Sequence, residues 1–358
     1  MSISPPIHFS SDLETINDDE QETIAGLNQQ FDVIMQKTAE DYGHAVRSVH
    51  AKSHGIIEAE MTIADGLPPE LAQGMFATPG VHKVFLRLST NAGDILPDAV
   101  SLPRGLAMKV LDAEGPRLPD AEGSTQDFIM VNGPVFQAPN AKKFLSGLKL
   151  LAKTTNRMEG TKTVMSSVLQ TVNKGLEAVG VASPTIQSLG GAPNSDPLGE
   201  TYFSVTPFRY GDYVAKFKLK PISPDLTKRT DTLIDASVQE NAIRETVQAE
   251  MQETHGVWEF QVQLCRNLEQ QPIEDPTVEW KEEDAPFVTV ATVTAMPQDS
   301  WSDANVQKVD EEMRFSVWTG LEAHQPLGNI NRARKDTYRH SAEFRARFNG
   351  CPFHEPSR

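Results

Sequence analysis

Short segments in which apolar and polar residues alternate occur in two groups along the chain, separated by glycine and proline. They occupy residues 55–63, 82–89, 104–111 and 127–131, then 200–208, 213–220, 258–264 and 287–295. In the segment 213–220, the odd-numbered positions from Tyr213 to Leu219 are apolar and three of the even-numbered positions are lysines. A period of two is typical of half-buried antiparallel strands. Eight strands can close a barrel that holds a ligand, so the pattern predicts an eight-stranded antiparallel β-barrel.

Helical spacing of apolar residues marks further regions of the chain. They are residues 20–41, 139–190, 238–253 and the basic end of 303–348. In the first of them, Ile24, Leu27 and Phe31 recur at intervals that place them on one helix face. Residues 1–22 are polar and acidic, and we expect them to form a mobile N-terminal arm. Residues 23–358 show neither repeats nor a clear boundary, which predicts a single domain of the α+β class.

The charge and composition of the chain exclude several classes of function. The 358 residues carry a formal net charge of −16, and a strongly acidic surface disfavours nucleic acid and anionic membranes as partners. There is no run of about 18 apolar residues, so we expect no membrane span. The N-terminus lacks a basic flank followed by an apolar segment, which predicts a cytoplasmic location. Cys265 and Cys351 do not have metal-ligand or redox-motif spacing.

A basic segment at residues 331–348 contrasts with the acidic chain, since it has six Arg and Lys residues against two acids. A solvated basic helix face is one interpretation. The spacing supports another, because Arg334 lies four residues before Tyr338 and Arg345 lies seven residues after it, so all three share a face. A nearby guanidinium favours the ionised form of a tyrosine, whose pKa is ordinarily about 10. This face therefore suits a tyrosinate that binds haem iron, as in catalases.

A second cluster lies at residues 47–55, where His50 precedes a predicted strand. A packed or surface histidine is the simpler interpretation of that position. The alternative is an acid–base group, because the ordinary pKa of histidine lies close to neutral pH. The sequence around His50 bears on this choice.

Several segments resemble the catalase superfamily, and they occur in the family's order. Residues 47–52, Arg-Ser-Val-His-Ala-Lys, are similar to the family's Arg-Val-Val-His-Ala-Lys. Residues 85–90 and 102–110 resemble its Val-Arg-Phe-Ser-Thr and Pro-Arg-Gly-Phe-Ala-Val-Lys. The other similar segments are DFIMVNGPVF (127–136), PIEDPTVEW (272–280), VATVTAMPQ (290–298) and LGNINRARKDTYRHSAEFR (327–345). Each match is short, but their common order over residues 40–348 makes the resemblance specific.

The resemblance implies a catalase-like barrel with surrounding helices, a C-terminal haem-ligand helix and haem b as the cofactor. Tyr338 would be the axial ligand of the iron, with Arg334 as its hydrogen-bonding cation. His50 would move the peroxide proton as the distal acid–base group. The other matching positions would contact the haem: Arg47, Arg87 and Arg345 at its propionates, and Val49, Phe136 and Phe144 at its ring.

Three features depart from the family's pattern. Asn132 is our candidate for the distal catalytic asparagine, but an ungapped match places Val131 there, and a shift of one residue in a strand changes the face. Leu102 replaces the acid that precedes Pro-Arg-Gly in the family, which predicts an apolar channel. The chain is also shorter than full-size catalases and resembles the small group of mini-catalases and coral-type allene oxide synthases. We therefore expect a homodimer, and nothing indicates an NADPH site.

These features favour a haem-dependent hydroperoxidase that acts on H2O2 and organic hydroperoxides through a ferryl intermediate, with small organic molecules as electron donors. One alternative is a fatty-acid hydroperoxide rearranging enzyme of the allene oxide synthase kind. Val49 argues against it. The corresponding segment of the allene oxide synthases is similar, but it typically has threonine before the histidine. The other alternative is a barrel that binds haem or an apolar ligand without turnover. The pairing of His50 with Tyr338 distinguishes it, since binding alone needs no acid–base group.

Overall fold

The computed structural model describes residues 4–155 and 191–356 of the chain. The longer helices of this part are α1 (Glu20–Tyr42), α2 (Ala141–Thr155), α3 (Ala242–Met251) and α4 (Asn329–Asn349). Shorter helical turns are Ser11–Leu13, Gly74–Ala77, Pro224–Thr227, Asp303–Asn305, Val306–Glu311 and Glu322–His324. The helical region expected at residues 139–190 begins with α2, and its residues 156–190 lie outside the described part.

The strands follow the two groups that the alternating pattern predicts. They are β1 (Ser53–Ile63), β2 (Val81–Thr90), β3 (Arg104–Val110), β4 (Gln126–Val131), β5 (Tyr202–Phe203), β6 (Phe208–Tyr210), β7 (Tyr213–Pro221), β8 (Gly256–Leu264) and β9 (Phe287–Ala295). Among the described helices, none is both long and apolar enough to cross a membrane.

Eight of the strands close into an antiparallel barrel. Their hydrogen-bonded order is β5-β4-β3-β2-β1-β9-β8-β7, and the pair Tyr202–Leu219 joins β5 to β7 and completes the ring. The short strand β6 pairs with the same edge of β7, because β8 occupies the other edge. The expectation of a closed eight-stranded antiparallel barrel is therefore confirmed, and closure leaves no long unpaired sheet edge.

Aromatic side chains fill the interior of the barrel. Phe76, Phe128, Phe217 and Phe260 pack together with ring centroids 4.8–6.3 Å apart, a range in which aromatic pairs attract one another. The opposite face of β7 is covered as well, because its lysine Lys216 is only 4% exposed. The alternation in β7 therefore marks two covered faces, one packed in the core and one carrying lysines.

A second apolar cluster joins three helices beside the barrel. Ile24, Leu27 and Phe31 of α1 pack with residues of α2 and with Ile330 of α4, so the apolar stripe predicted for α1 faces a core. The helix α1 ends before Gly43, whose φ of +64° is the left-handed cap that glycine adopts without strain. This cluster fixes the position of α4, which carries the predicted iron ligand.

The N-terminal segment is polar, as the sequence shows, but residues 4–19 lie against the barrel. The backbone N–H of Ile7 donates to the carbonyl of Cys265 at 2.8 Å. The apolar residues of the segment pack into a small cluster there: Ile7, Phe9 and Leu13. Three apolar side chains thus anchor a segment that we expected to be a mobile arm of residues 1–22, and α1 already begins at Glu20.

Candidate functional site

The helix α4 presents its predicted functional residues together. Arg334 donates to the hydroxyl oxygen of Tyr338 from Nε at 3.3 Å and from Nη2 at 3.1 Å. Asn331 fixes this guanidinium, because its Oδ1 accepts from Arg334 Nη1 at 3.2 Å while its Nδ2 donates to two backbone carbonyls. A guanidinium is the donor suited to an oxygen that carries negative charge. We call Arg334, Tyr338 and Arg345 the helix wall of the site.

His50 belongs to a second wall that is assembled from separate strands. Its backbone is left-handed, with φ of +54°, a conformation in which histidine is enriched among non-glycine residues. Arg87 donates from Nη1 to the His50 carbonyl at 3.0 Å, and Nδ1 of the ring lies 3.0 Å from Ser89 Oγ. Gly105 makes room for the ring, since a Cβ there would lie 2.3 Å from His50 Cε1. We call His50, Ser89 and Gly105 the strand wall.

The hydrogen bonds of the strand wall assign the protons of the His50 ring. The Ser89 hydroxyl donates to the Gly105 carbonyl at 3.4 Å, so its oxygen is left to accept from His50 Nδ1–H. The lone pair of the neutral ring then lies on Nε2. Burial lowers the pKa of His50 to about 3, and the guanidiniums of Arg87, Arg334 and Arg47 add to this effect. His50 is therefore neutral at physiological pH, with one nitrogen free to accept a proton.

Both walls face one cavity of about 590 Å³, part of which is open to solvent. The lining is mostly apolar, with a few polar groups from both walls. The lining residues are Arg47, Ser48, Val49, His50, Arg87, Ser89, Gly105, Leu106, Ala107, Ile129, Met130, Arg314, Phe315, Tyr338, Ser341, Ala342 and Arg345. The structure thus brings Tyr338 and His50, which are 288 positions apart in the sequence, to one cavity.

The three arginines expected to bind propionates meet at one end of this cavity. Arg47 Nη1 and Arg87 Nε each lie 2.6 Å from the same oxygen of Asp310. Arg345 donates from Nη2 to the backbone carbonyl of Asp310 at 2.8 Å, while its buried Nε has no hydrogen-bond partner. Burial raises the pKa of Asp310, but Arg87 and Arg47 outweigh this and bring it to about 2. This end of the cavity therefore favours an anionic ligand.

The register of β4 corrects the assignment of Asn132 to the distal site. In the β3–β4 pairing, Ala107 lies opposite Ile129 and Gly105 lies opposite Val131, and the residues of β4 that line the cavity are Ile129 and Met130. Asn132 follows the strand and does not line the cavity. Its Oδ1 accepts from the backbone N–H of Arg104 at 2.9 Å, and its amide hydrogen-bonds the carboxylate of Glu200. Neither Asn132 nor the ungapped alternative, Val131, lines the cavity.

The remaining predicted residues divide into two groups. Val49 lines the cavity. Phe136 and Phe144 pack against each other with ring centroids 5.5 Å apart, in the cluster formed by the helices, and neither lines the cavity. Leu102 is also absent from the lining, although it is buried. An apolar lining is nonetheless present, and other residues provide it.

Sequence reasoning missed several residues of the site. Ser89 lies within the FLRLST segment, but nothing in the sequence distinguishes it from other serines. Asp310 and Asn331 act through arginines, and no local motif marks either of them. Arg314 also lines the cavity, where it forms ion pairs with Glu355 at 3.1 Å and with an exposed glutamate. The roles of Ser89, Asp310 and Arg314 depend on contacts with residues that are distant in the sequence. Asn331 differs, because it contacts Arg334 three residues later on the same helix, and helical spacing could have found it.

The closed barrel with its surrounding helices is the catalase-like fold. Solved structures of three catalases are similar to it. A fungal catalase matches with a TM-score of 0.61 and 15% identity, covering 88% of this chain and 63% of that protein. Catalase A from Saccharomyces cerevisiae matches with 0.58 and 14%, covering 99% and 72%. A bacterial catalase matches with 0.58 and 16%, covering 90% and 63%.

These likenesses establish the fold and nothing more, because identities of 14–16% are too low to transfer an activity. The chain spans less than two thirds of the length of the fungal and bacterial catalases. No protein-family model matches the sequence, and no curated protein sequence matches it.

Proposed function

We propose that the protein is a haem-dependent hydroperoxidase that acts on H2O2 and organic hydroperoxides. The observation that carries the proposal is one cavity that has a tyrosine–arginine pair on one wall and a neutral histidine on the other. The site also fits the cofactor, because the arginine end of the cavity matches the anionic propionates of haem. Three guanidiniums converge there, and the buried Nε of Arg345 has no partner, as expected of a group that binds a carboxylate.

In this proposal, Tyr338 would bind the iron through its phenolic oxygen, and Arg334 would donate two hydrogen bonds to that oxygen. Arg47, Arg87 and Arg345 would hold the haem propionates. When bound, haem supplies the metal and redox centre at which the O–O bond of a peroxide is cleaved.

His50 performs the proton transfer. Its Nε2 lone pair accepts the proton from one peroxide oxygen and returns it to the other, which assists heterolytic cleavage of the O–O bond. The Ser89 hydroxyl keeps the proton on Nδ1 and fixes the ring throughout. Because the pKa of His50 is lowered to about 3, the imidazolium readily gives up the proton it has taken. The strand wall therefore acts as a proton shuttle.

The distal face favours organic hydroperoxides alongside H2O2. No Asn or Gln is among the described residues that line the cavity, so no side-chain amide is available to hydrogen-bond a peroxide oxygen, and Leu106, Ile129 and Phe315 make the lining apolar. Apolar contacts favour an alkyl or aromatic group attached to the peroxide. We therefore expect modest catalase activity together with peroxidase turnover that uses small organic donors.

The apolar lining also favours a second candidate, a rearrangement of fatty-acid hydroperoxides of the allene oxide synthase kind. Val49 argues against it, because valine has no hydroxyl that could occupy the His50 lone pair. Oxygen release from H2O2 and product analysis on a fatty-acid hydroperoxide test the two candidates with one preparation of haem-loaded protein. Oxygen release and reduction to an alcohol support the hydroperoxidase. An allene oxide or its hydrolysis product without oxygen release would overturn it.

A further inference from the structure

Asp310 has an unusual position for a carboxylate in a site that would bind an anion. It lies in the helical turn Val306–Glu311, and one of its oxygens accepts from both Arg47 and Arg87 at 2.6 Å. Arg345 is bound to its backbone carbonyl. All of these side chains are nearly buried, at 14% exposure or less. Two buried guanidiniums therefore share one carboxylate, and a third binds the backbone of the same residue.

The charge of this cluster follows from its members. Three guanidiniums and one carboxylate leave two positive charges. The side chains of the neighbouring carboxylates do not pair with these arginines, since Glu311 bonds His44 at 2.8 Å and Glu312 bonds Gln307 at 2.9 Å. The charge of Glu311 still acts on Arg47 and Arg345 without a direct side-chain bond. Two carboxylates on a ligand would bring the cluster to neutrality.

We propose that Asp310 is a positioning residue that holds Arg47 and Arg87 in the buried cluster and sets its charge to match a ligand with two carboxylates, such as haem b. This inference rests on the proposed function, because it concerns how the cofactor is held. Asp310 itself does not contact the ligand in this arrangement. It acts through the two arginines.

The repulsion among the arginines explains why a counter-charge is needed. Burial lowers the pKa of Arg47 well below its ordinary value, and repulsion by Arg87 and Arg345 lowers it further, while Asp310 opposes both effects. Without the carboxylate, these guanidiniums gain by turning towards water, because an unpaired buried charge is costly. They would then be lost as partners for ligand carboxylates. Removal of Asp310 should therefore weaken haem binding, although it makes the cluster more positive.

The test compares haem with haem dimethyl ester, which lacks both negative charges, in the wild type and in Asp310→Asn. The measurement is the rate at which bound haem transfers to an excess of apomyoglobin. We expect Asp310→Asn to release haem roughly 10- to 100-fold faster than the wild type, the loss typical of a hydrogen bond to a charged group. The wild type should retain haem better than the ester, and in Asp310→Asn this preference should be smaller by a similar factor.

Glu311→Gln is the matched control, because it removes the same charge from the same turn but breaks a bond to His44 instead of an arginine. Because Glu311 acts on Arg47 and Arg345 only through its charge and not through a side-chain bond, its loss should change the release rate and the ester preference much less than Asp310→Asn does. A double variant, Arg47→Gln with Asp310→Asn, removes the charge pair and keeps the cluster at plus two. We expect Asp310→Asn to lower the thermal unfolding midpoint of the cofactor-free protein, and the double variant should recover most of that loss. If the single variant does not fold, the double variant is compared with the wild type instead.

The outcomes separate this inference from the proposed function. A wild type that binds haem, with Asp310→Asn indistinguishable from it, overturns the role of Asp310 alone. Equal retention of haem and its ester by the wild type does the same, and leaves ligation by Tyr338 intact. A Glu311→Gln variant that loses haem as fast as Asp310→Asn shows a general charge effect and also overturns it. Failure of the wild type to bind haem overturns both proposals.

Discussion

The helix wall and the strand wall face the same cavity but are built in different ways. On the helix wall, Arg334 and Tyr338 are four residues apart, and the helix itself brings their side chains together. On the strand wall, His50 depends on Ser89 of β2 and on the missing side chain of Gly105 in β3. Its backbone also has a left-handed conformation, which costs about 1–3 kcal/mol and must be maintained by surrounding contacts. One wall is local in sequence, and the other exists only in the folded barrel.

This difference has consequences for how each wall responds to change. A local pair on a helix survives small movements of its surroundings, because both partners move together. The strand wall has no such protection, since a shift of β3 relative to β2 alters the distance between His50 and its partners. We therefore expect substitutions on the helix wall to affect cofactor binding itself. Substitutions on the strand wall should leave the cofactor bound and disturb proton transfer.

The largest effect is expected from Tyr338→Phe on the helix wall. The variant loses the oxygen that would bind iron, so it should either lose haem or lose the high-spin ferric tyrosinate spectrum completely. The absorption spectrum after reconstitution with haem measures this. Tyr210→Phe is the control, because Tyr210 is buried in the barrel and bonds the carbonyl of Leu71. An unchanged spectrum in Tyr338→Phe would exclude this residue as the ligand.

The next largest effect is expected from His50→Ala on the strand wall. Haem should remain bound, while peroxide turnover should fall by about 10²–10⁴-fold, the usual contribution of general acid–base catalysis. Haem content and initial rates of peroxide consumption are measured on the same sample. The control His82→Ala removes a histidine of β2 that bonds the carbonyl of Leu111. Wild-type turnover in His50→Ala would remove His50 from the mechanism.

Gly105→Ala tests whether the strand wall depends on the close approach of the ring to β3. The added Cβ would lie 2.3 Å from His50 Cε1, so the ring must move. A displacement of about 1 Å can cost up to roughly 100-fold in rate, and we expect a loss of about 10- to 100-fold with haem content unchanged. Gly133→Ala is the matched control, because nothing lies within 4 Å of its Cβ position. Equal rates in the two variants would contradict the described packing.

The pH dependence of stability distinguishes the buried ring of the strand wall from an exposed histidine. The pKa of His50 is about 3 in the folded protein and about 6.5 when unfolded. Between these values the unfolded chain binds a proton that the folded chain excludes, so stability falls as the pH falls below 6.5. From pH 7.5 to 5.5, this single group should lower the folding equilibrium constant about tenfold. Denaturant unfolding of wild type and His50→Gln measures the difference, and parallel pH profiles would refute it.

The smallest effect is expected from Val49→Thr. A threonine hydroxyl can donate to the imidazole and occupy the lone pair that accepts the peroxide proton. One neutral hydrogen bond is worth about 0.5–1.5 kcal/mol, so oxygen release from H2O2 should fall by about two- to tenfold. The haem spectrum should not change. Val49→Ala distinguishes the hydroxyl from a change in packing, and a loss of the same size in both variants would argue against the hydrogen bond.

The contrast between the walls also explains how much the sequence could predict. The barrel followed from alternation in segments such as 213–220, because burial of one face imposes a period of two. The face shared by Arg334, Tyr338 and Arg345 followed from helix geometry alone. Both inferences need only neighbours in sequence. The structure confirms the barrel, brings Tyr338 and Arg345 to the cavity, and holds Arg334 against the Tyr338 oxygen.

Predictions that needed a tertiary contact or an uncertain register were less successful. Asn132 was assigned to the cavity by residue type, but its side chain bonds the backbone of Arg104 and the carboxylate of Glu200 and does not line the cavity. Phe136 and Phe144 were assigned by spacing to the haem, yet their rings contact each other in the cluster of helices. Asp310 could not be found, because an acid that neutralises arginines 223 and 263 residues away leaves no local pattern.

The position of α4 in the chain determines when the site can form during synthesis. This helix follows every strand of the barrel, and it is tied to the first helix by the ion pair Arg332–Glu20 at 2.7 Å and by a hydrogen bond between His340 and Asp32 at 2.6 Å. A nascent chain emerges N-terminus first. The strand wall with His50 is therefore synthesised before Tyr338. The proposed cofactor, which needs both walls, can be captured only after α4 has packed against α1.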